Sequence, residues 1–435
     1  MARRGFWSLV WLSLRDLFDQ ATGFGRLAAV HVGMMAGDTL VTVSLAGSLF
    51  FSVSPTEAKG KVLAYLALTF APFAVVSPLL GPVIDRPVHG RRAIVAASAG
   101  SRVLLCWFMS RHLNSWLLFP EAFAMLVASK LYVVTRGTLV PEMARSNQFR
   151  TTQPDSDAAG WPLRAVSKES GFAGYNAQLT LLGTGAGLAI GVIGAAVLHV
   201  FSAPVVLIMA AVMFAYTTIA SMRLPSPQPI SSVTKSPWHP TTKENDHVEV
   251  QWGLASISTL RFSTGFLGFL LVFGLRSQEA SLSWYGGALA MTALGSLVGL
   301  AIVTRTHGSR ADTTLLTWSH LLVAAACGAL WAWPSLFGQV ALSAVVGLSG
   351  SIAQPSFDSI TQQHVPMNAQ GRSFARFAVR QQLLWVIGAI VPVAIDVNWT
   401  VGNASICVLS AIVGLTYGFG RRYVSPTLPP RRLAK

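Results

Sequence analysis

The chain has 435 residues, of which 52% are hydrophobic and only 11% charged, with a formal net charge of +15. Soluble domains carry about a quarter charged residues, so this composition excludes a water-soluble globular enzyme and makes the bilayer the solvent for much of the surface. The 32 Lys and Arg fall mostly in short segments between apolar runs, a topology signal rather than a nucleic-acid-binding face.

Residues 1–26 form an N-terminal segment whose stretch 6–20 alternates apolar and polar faces and contains Arg15, Asp16 and Asp19. No small-residue cleavage site follows, so it reads as an amphipathic helix on the cytoplasmic surface and not as a cleaved signal. Apolar runs long enough to cross a bilayer predict twelve spans, at 27–53, 61–84, 92–112, 115–138, 173–199, 203–222, 253–275, 283–304, 313–333, 336–359, 374–396 and 401–420.

The first span carries Asp38 near its centre, between Gly37 and Thr39. A charge at the bilayer centre costs at least about 2.5–3.5 kcal/mol, so such a residue faces a water-filled cavity or a partner. Two readings stand: Asp38 exchanges a proton during a transport cycle, or it is a structural acid paired with a base or a Thr hydroxyl. The loop between spans two and three reads Gly81-x-x-x-Asp85-Arg86-x-x-x-Gly90-Arg91-Arg92. Gly81 near a helix end permits close helix approach. Asp85 suits a neighbouring helix N-terminus, and the arginines suit the anionic inner leaflet. Arg102 lies in span three and Lys130 in span four, in the same half as Asp38, and either could neutralise it. Glu121 follows Pro120 near the external end of span four and reads as water-facing or as a helix cap. A long loop is expected over 139–171.

Span five places Gly183, Gly187 and Gly191 on one helix face, which reads as a close-packing surface and alternatively as a hinge between halves. The stretch 223–251 is rich in Pro, Ser and Thr and reads as a flexible cytoplasmic linker. It separates an N-terminal six-helix bundle, 27–222, from a C-terminal one, 252–420, which is followed by a basic tail at 421–435. The halves share a weak repeat. Gly81 to Arg92 aligns without gaps to Gly299 to Arg310, at an offset of 218, and that offset places His320 where the first half has Arg102. Arg261 lies near the matching first-helix position of the second half. Asp358, just after Pro355, is a candidate second-half gate residue, with Arg372, Arg376 or Arg380 as partners. Together Arg102, Lys130, Arg261 and His320 are candidates to line the central cavity. With the N-terminus inside, cytoplasmic segments hold 25 of the 32 basic residues, and the opposite orientation would invert this positive-inside bias.

Span number, central linker, repeat and the 81–92 loop together resemble the major facilitator superfamily. The family pattern is G-x-x-x-D-R-x-G-R-R, and this chain has two extra residues before Gly90. The resemblance implies an all-α membrane fold of two pseudo-symmetric six-helix bundles around a substrate cavity. It also implies that Asp85 and Arg86 latch the cytoplasmic ends of the halves, with Arg136 as a partner, and that the protein is a monomer. The second half has Val303 in place of the motif's acid. The usual Gly-Pro pair of the family's antiporters is absent from span five, where Ala186-Gly187 stands.

There is no phosphate-binding loop: Gly60-Lys61 is followed by Val62. No nucleophile elbow or zinc-helix motif occurs, and Cys106, Cys327 and Cys407 are dispersed in apolar runs and suit packing. The expectation is a secondary transporter, not an enzyme, with no cofactor. Its partners would be a small-molecule substrate, protons and the lipid bilayer, but not nucleic acid. The first-helix acid suits proton-coupled export of a small amphipathic compound, such as a cation. Proton-coupled import of a polar metabolite and a non-transporting scaffold or receptor are the alternatives.

Overall fold

The computed structural model describes residues 22–46, 89–113, 115–151, 172–225, 248–305, 309–366, 369–395 and 397–424. Among them run eleven helices. The first half has α1 (Gly23–Ala46), α2 (His89–His112), α3 (Leu118–Thr151), α4 (Phe172–Val200) and α5 (Ala203–Met222). The second has α6 (Val248–Ser277), α7 (Leu282–Val303), α8 (Ser309–Ala332), α9 (Leu336–His364), α10 (Gln370–Ala394) and α11 (Trp399–Val424). All eleven contain stretches long and apolar enough to cross a membrane, and a helix is the form that satisfies every backbone polar group inside lipid. They answer to eleven of the twelve predicted spans. The remaining one, 61–84, lies outside the described residues, as do Gly81, Asp85, Arg86, the segment 6–20 and most of the linker.

The end of the bundle where α1 begins is termed basal, the opposite end distal. At the basal end Arg26 of α1 donates to the Arg223 carbonyl after α5 at 3.0 Å. At the distal end Ser44 of α1 donates to Ala203 O, where α5 begins, also at 3.0 Å. In the second half Glu249, at the start of α6, pairs with His364, at the end of α9. Arg92, in the first turn of α2, donates to Leu224 O just after α5, so α2 begins basally whereas α1 ends distally.

Two segments depart from expectation. Residues 139–151, expected in a loop, continue α3, and α9 runs on to His364; each helix passes through an internal proline, Pro141 and Pro355. A proline in a helix interior deprives the carbonyl four residues earlier of its donor. For Pro141 that carbonyl is Gly137 O, and it accepts instead from Gln362 Nε2 of α9 at 2.8 Å. Satisfied from outside, the helix continues, because Glu142 to Arg150 includes good helix formers.

Each half has its own core. In the first, Leu27, Met34, Tyr132 and Phe214 are fully buried together. In the second, Leu254, Phe266, Phe357 and Phe377 are packed together. The halves meet basally: Ala173, Ala177 and Leu181 of α4 pack against Leu300 and Val303 of α7 and Ile352 of α9, while Val134 of α3 packs on Phe374 of α10. Large apolar side chains remain open on the outside, among them Val192 at 73% and Leu289 at 74%, as a surface solvated by acyl chains requires.

Glycines set the closest helix approaches. Gly183, Gly187 and Gly191 of α4 lie against His31, Met35 and Thr39 of α1. Closer still are crossings that the four-residue glycine rule did not single out. A Cβ on Gly295 of α7 would collide with the backbone carbonyl of Ala344 in α9, whereas one on Gly286 of α7 would enter open space. Backbone cannot yield as a flexible side chain can. Gly295→Ala is expected to cost about 1–3 kcal/mol of stability, read as an earlier thermal transition in detergent, with Gly286→Ala unchanged. Equal transitions for both would remove the crossing from the account.

Candidate functional site

Two polar centres face each other between the halves. The first is built by α1, α2 and α3. Arg102 Nη1 donates to Asp38 Oδ1 at 3.1 Å and to Met34 Sδ at 3.3 Å. Ser129 Oγ donates to Asp38 Oδ2 at 3.0 Å. The Arg102 side chain is 0% exposed against 25% for Asp38, and its guanidinium lies 5.2 Å from the Phe214 ring centroid, a favourable cation–π distance. Its Nε and Nη2 find no protein acceptor. Lys130 lies within electrostatic reach of both Asp38 and Arg261. Both alternatives for Asp38 therefore have a named partner set, since its base is Arg102 and its hydroxyl is that of Ser129 rather than of a Thr.

The second centre belongs to α6 and α9. Arg261 Nη2 donates to Gln354 Oε1 at 2.9 Å, and Gln354 Nε2 donates to Asp358 Oδ1 at 2.8 Å. Asp358 is coupled electrostatically to Arg261 and, across the halves, to Arg136 of α3. That is a different partner set from the α10 arginines expected from the sequence. Arg136 Nη1 meets His31 Nε2 at 3.2 Å, and His31 Nδ1 meets Tyr132 Oη at 3.0 Å. A guanidinium only donates, so Nε2 of His31 accepts, leaving Nδ1–H to donate to the tyrosine oxygen. His31 escaped the sequence reading although the signal existed: it precedes Asp38 by seven residues, two helical turns, and so shares its face.

His320 lies apart from these centres. Its Nε2 contacts Ser256 O at 3.0 Å and Ser256 Oγ at 3.1 Å, and Gly414 of α11 closes on its Cβ. It is a packing residue between α6, α8 and α11 and not part of the cavity wall. The contact is nonetheless informative. Ser256 and His320 are Asp38 and Arg102 displaced by 218 residues, the offset of the sequence repeat. The same pair of positions touches in both halves, an acid and an arginine in the first and a serine and a histidine in the second.

The arginines of the 81–92 loop also find partners. Arg91, read as a headgroup anchor, is buried and pairs with Glu142 of α3 at 3.6 Å, with side-chain exposures of 6% and 9%. Arg92 Nη1 donates to Leu224 O, just after α5, at 3.2 Å. Gly90 lies in the first turn of α2. Glu121 pairs with His112 at 2.6 Å at the distal end. At the basal end, beneath both centres, Asn176 Nδ2 of α4 donates to Gln362 Oε1 at 2.9 Å, and Gln362 also holds the Gly137 carbonyl.

A cavity of about 540 Å³ lies between α4 of the first half and α6, α7, α9 and α10 of the second, within the range of small-molecule sites. Arg261, Gln354 and Pro355 mark one end, and Gln339, near the distal end of α9, marks the other. Fifteen residues of helix separate Gln339 from Gln354, roughly 22 Å at the α-helical rise.

Two helical halves of membrane-spanning helices, with buried polar centres and a solute-sized cavity between them, define a membrane transporter. The major facilitator superfamily family model matches residues 167–389, about half of the chain, and the protein belongs to that family. It is 27% identical over 455 residues to an uncharacterised protein of Mycobacterium leprae, covering 95% of this chain and 74% of that one. Its fold is similar to that of the human organic anion transporter MFSD10, with TM-score 0.66 at 13% identity, covering 91% of this chain and 99% of the other. It is also similar to FucP in the outward conformation, with TM-score 0.62 at 13% identity, covering 93% and 99%. The chain is a multi-pass membrane protein with the fold of transporters that work by alternating access.

Proposed function

We propose that the protein is a proton-coupled secondary transporter of the inner or plasma membrane, in which Asp38 is the group that takes up and releases the proton as the two halves rock. The observation that carries this reading is the Asp38–Arg102–Ser129 cluster. A buried ion pair kept for stability alone would have its remaining donors satisfied, yet Arg102 holds Asp38 with one nitrogen and leaves Nε and Nη2 unpaired. Protonation of Asp38 would remove the negative partner of a fully buried guanidinium and oblige it to find another. That is a change in electrostatics large enough to bias two packings of the bundle. The contacts joining the halves lie basally among the described residues, which supports a state closed at that end. The basic residues Arg26, Arg91, Arg92, Arg136 and Arg223 all lie toward it, so the basal end is read as cytoplasmic by the positive-inside rule, with both termini there.

Export by proton exchange is the direction the first-helix acid favours, and co-transport inward is the alternative. The test uses protein in liposomes loaded with a pH-sensitive dye under an imposed proton gradient. Substrate-dependent proton movement is expected in the wild type and not in Asp38→Asn, and its sign separates exchange from co-transport. Undiminished proton movement in Asp38→Asn would remove Asp38 from the coupling.

A further inference from the structure

We infer that the cavity takes a small hydroxylated organic anion, with its charged group on Arg261. This deepens the transporter reading and rests on it for the cavity's purpose, though not for its charge.

The wall argues for the sign. Arg261 is the charged side chain among those lining the cavity, and no carboxylate among the described residues lines it. Asp358 does not cancel it directly, because Gln354 stands between them, its oxygen toward Arg261 and its nitrogen toward Asp358. That orientation is forced, since a guanidinium only donates and an ionised carboxylate only accepts. Around the two centres Arg102, Lys130, Arg136 and Arg261 stand against Asp38 and Asp358, an excess of positive charge in a region of low dielectric where each charge is felt strongly. A lipophilic cation, the cargo that the sequence suggested, would meet repulsion there, since no carboxylate among the described residues lines the cavity.

The neutral wall argues for the hydroxyls. Five of its side-chain hydroxyls spend their protons on helix backbone: Thr180 on Asn176 O, Thr264 on Arg261 O, Thr292 on Ala288 O, Ser296 on Gly347 O and Ser351 on Leu348 O. Each then turns acceptor lone pairs outward, and a solute bearing several O–H donors matches such a surface. Near the distal end Gln339, 3% exposed, presents an Nε2 without a protein acceptor, a donor for an oxygen of the entering solute. A solute lacking these groups would leave the wall's polar atoms unpaired.

The charge is tested without knowing the substrate. Thr264→Cys places a thiol on the cavity wall one turn from Arg261, in a background carrying Cys407→Ser; Cys106 and Cys327 are buried. Its modification by a sulfonate-bearing methanethiosulfonate is compared with that by the trimethylammonium analogue of similar size. The ratio of the two rates cancels the thiol's own reactivity and reports the field. The anionic reagent is expected to react roughly tenfold faster relative to a free thiol standard, as a unit charge a few ångströms away in partly hydrated protein would dictate. Arg261→Gln is expected to bring the ratio close to the standard. A ratio favouring the cation, a ratio indifferent to Arg261→Gln, or a thiol that neither reagent reaches overturns the assignment. Gluconate is expected to slow labelling more than acetate does, and tetraphenylphosphonium not at all. Absence of protection by gluconate, or protection by the cation, overturns the substrate class. Because labelling needs no turnover, these outcomes are independent of the Asp38→Asn liposome result.

Discussion

Arg102→Met is expected to destabilise the protein by about 3 kcal/mol, whereas the double variant Asp38→Asn/Arg102→Met recovers most of that loss. Removing one member of a buried ion pair leaves a charge in low dielectric without compensation, which costs about 3–5 kcal/mol; replacing both members by neutral groups is often close to neutral. The lower end applies because Lys130 stays within electrostatic reach of Asp38 and Ser129 still donates to it. Met preserves much of the volume that Arg102 fills beside Phe214 and Met34, so the loss reports charge rather than a cavity. Thermal unfolding of the two single variants and the double in one detergent gives the coupling energy directly. A double variant as unstable as Arg102→Met would mean that the guanidinium acts through packing and its other contacts, and that its pairing with Asp38 contributes little. Recovery of stability without recovery of proton-coupled transport is the expected combined result, since neither variant side chain can carry the proton.

Much of the fold was legible from the chain because spans announce themselves by length and hydropathy, and eleven of the twelve predicted spans coincide with helices. Boundaries failed at two basal helix ends, where α3 and α9 run on past the expected 138 and 359. Pro141 and Pro355 lie inside helices, and what permits this at Pro141 is a glutamine 221 residues further along the chain, which no local pattern contains. The mid-membrane charges were legible because ionisable residues in lipid are rare; Asp38, Arg102, Lys130 and Arg261 needed only their positions. Their pairing was not legible. Asp358 looked toward the nearby arginines of α10, yet the charges that act on it are Arg261 of α6 and Arg136 of α3. His320 was misplaced for a related reason. The repeat put it at the position of Arg102, but that position in the second half packs against Ser256 and is not among the residues that line the cavity. Arg91 was read as a lipid anchor because its partner Glu142 lay in a segment expected to be loop. The motif residues Gly81, Asp85 and Arg86 fall outside the described residues, and the latch assigned to them remains a proposal.

The basal latch that is described runs instead through Gln362. Its side chain joins three elements, accepting from Asn176 of α4 at 2.9 Å and donating to the Gly137 carbonyl of α3 at 2.8 Å, with all of these groups buried. Both bonds cross from the second half to the first, so both must break for the basal end to open. Gln362→Leu leaves Asn176 Nδ2 and the Gly137 carbonyl without these partners in the closed state, while in an open state water could reach them. Two buried hydrogen bonds together contribute about 2–3 kcal/mol, so the equilibrium is expected to move toward the basally open state roughly 30- to 150-fold. Ala177 reports it, because it is fully buried between the halves. A cysteine there should react slowly with a water-soluble maleimide in the parent and much faster in Gln362→Leu. Pro141→Ala separates the two bonds. It restores an N–H to the helix at residue 141, which can satisfy Gly137 O from within α3 and makes that half of the latch redundant, so labelling should rise by a smaller factor. Unchanged labelling of Ala177→Cys in the Gln362→Leu background would mean that the apolar contacts of α4 with α7 and α9 hold the basal end closed on their own. The proline's role would then be confined to shaping α3.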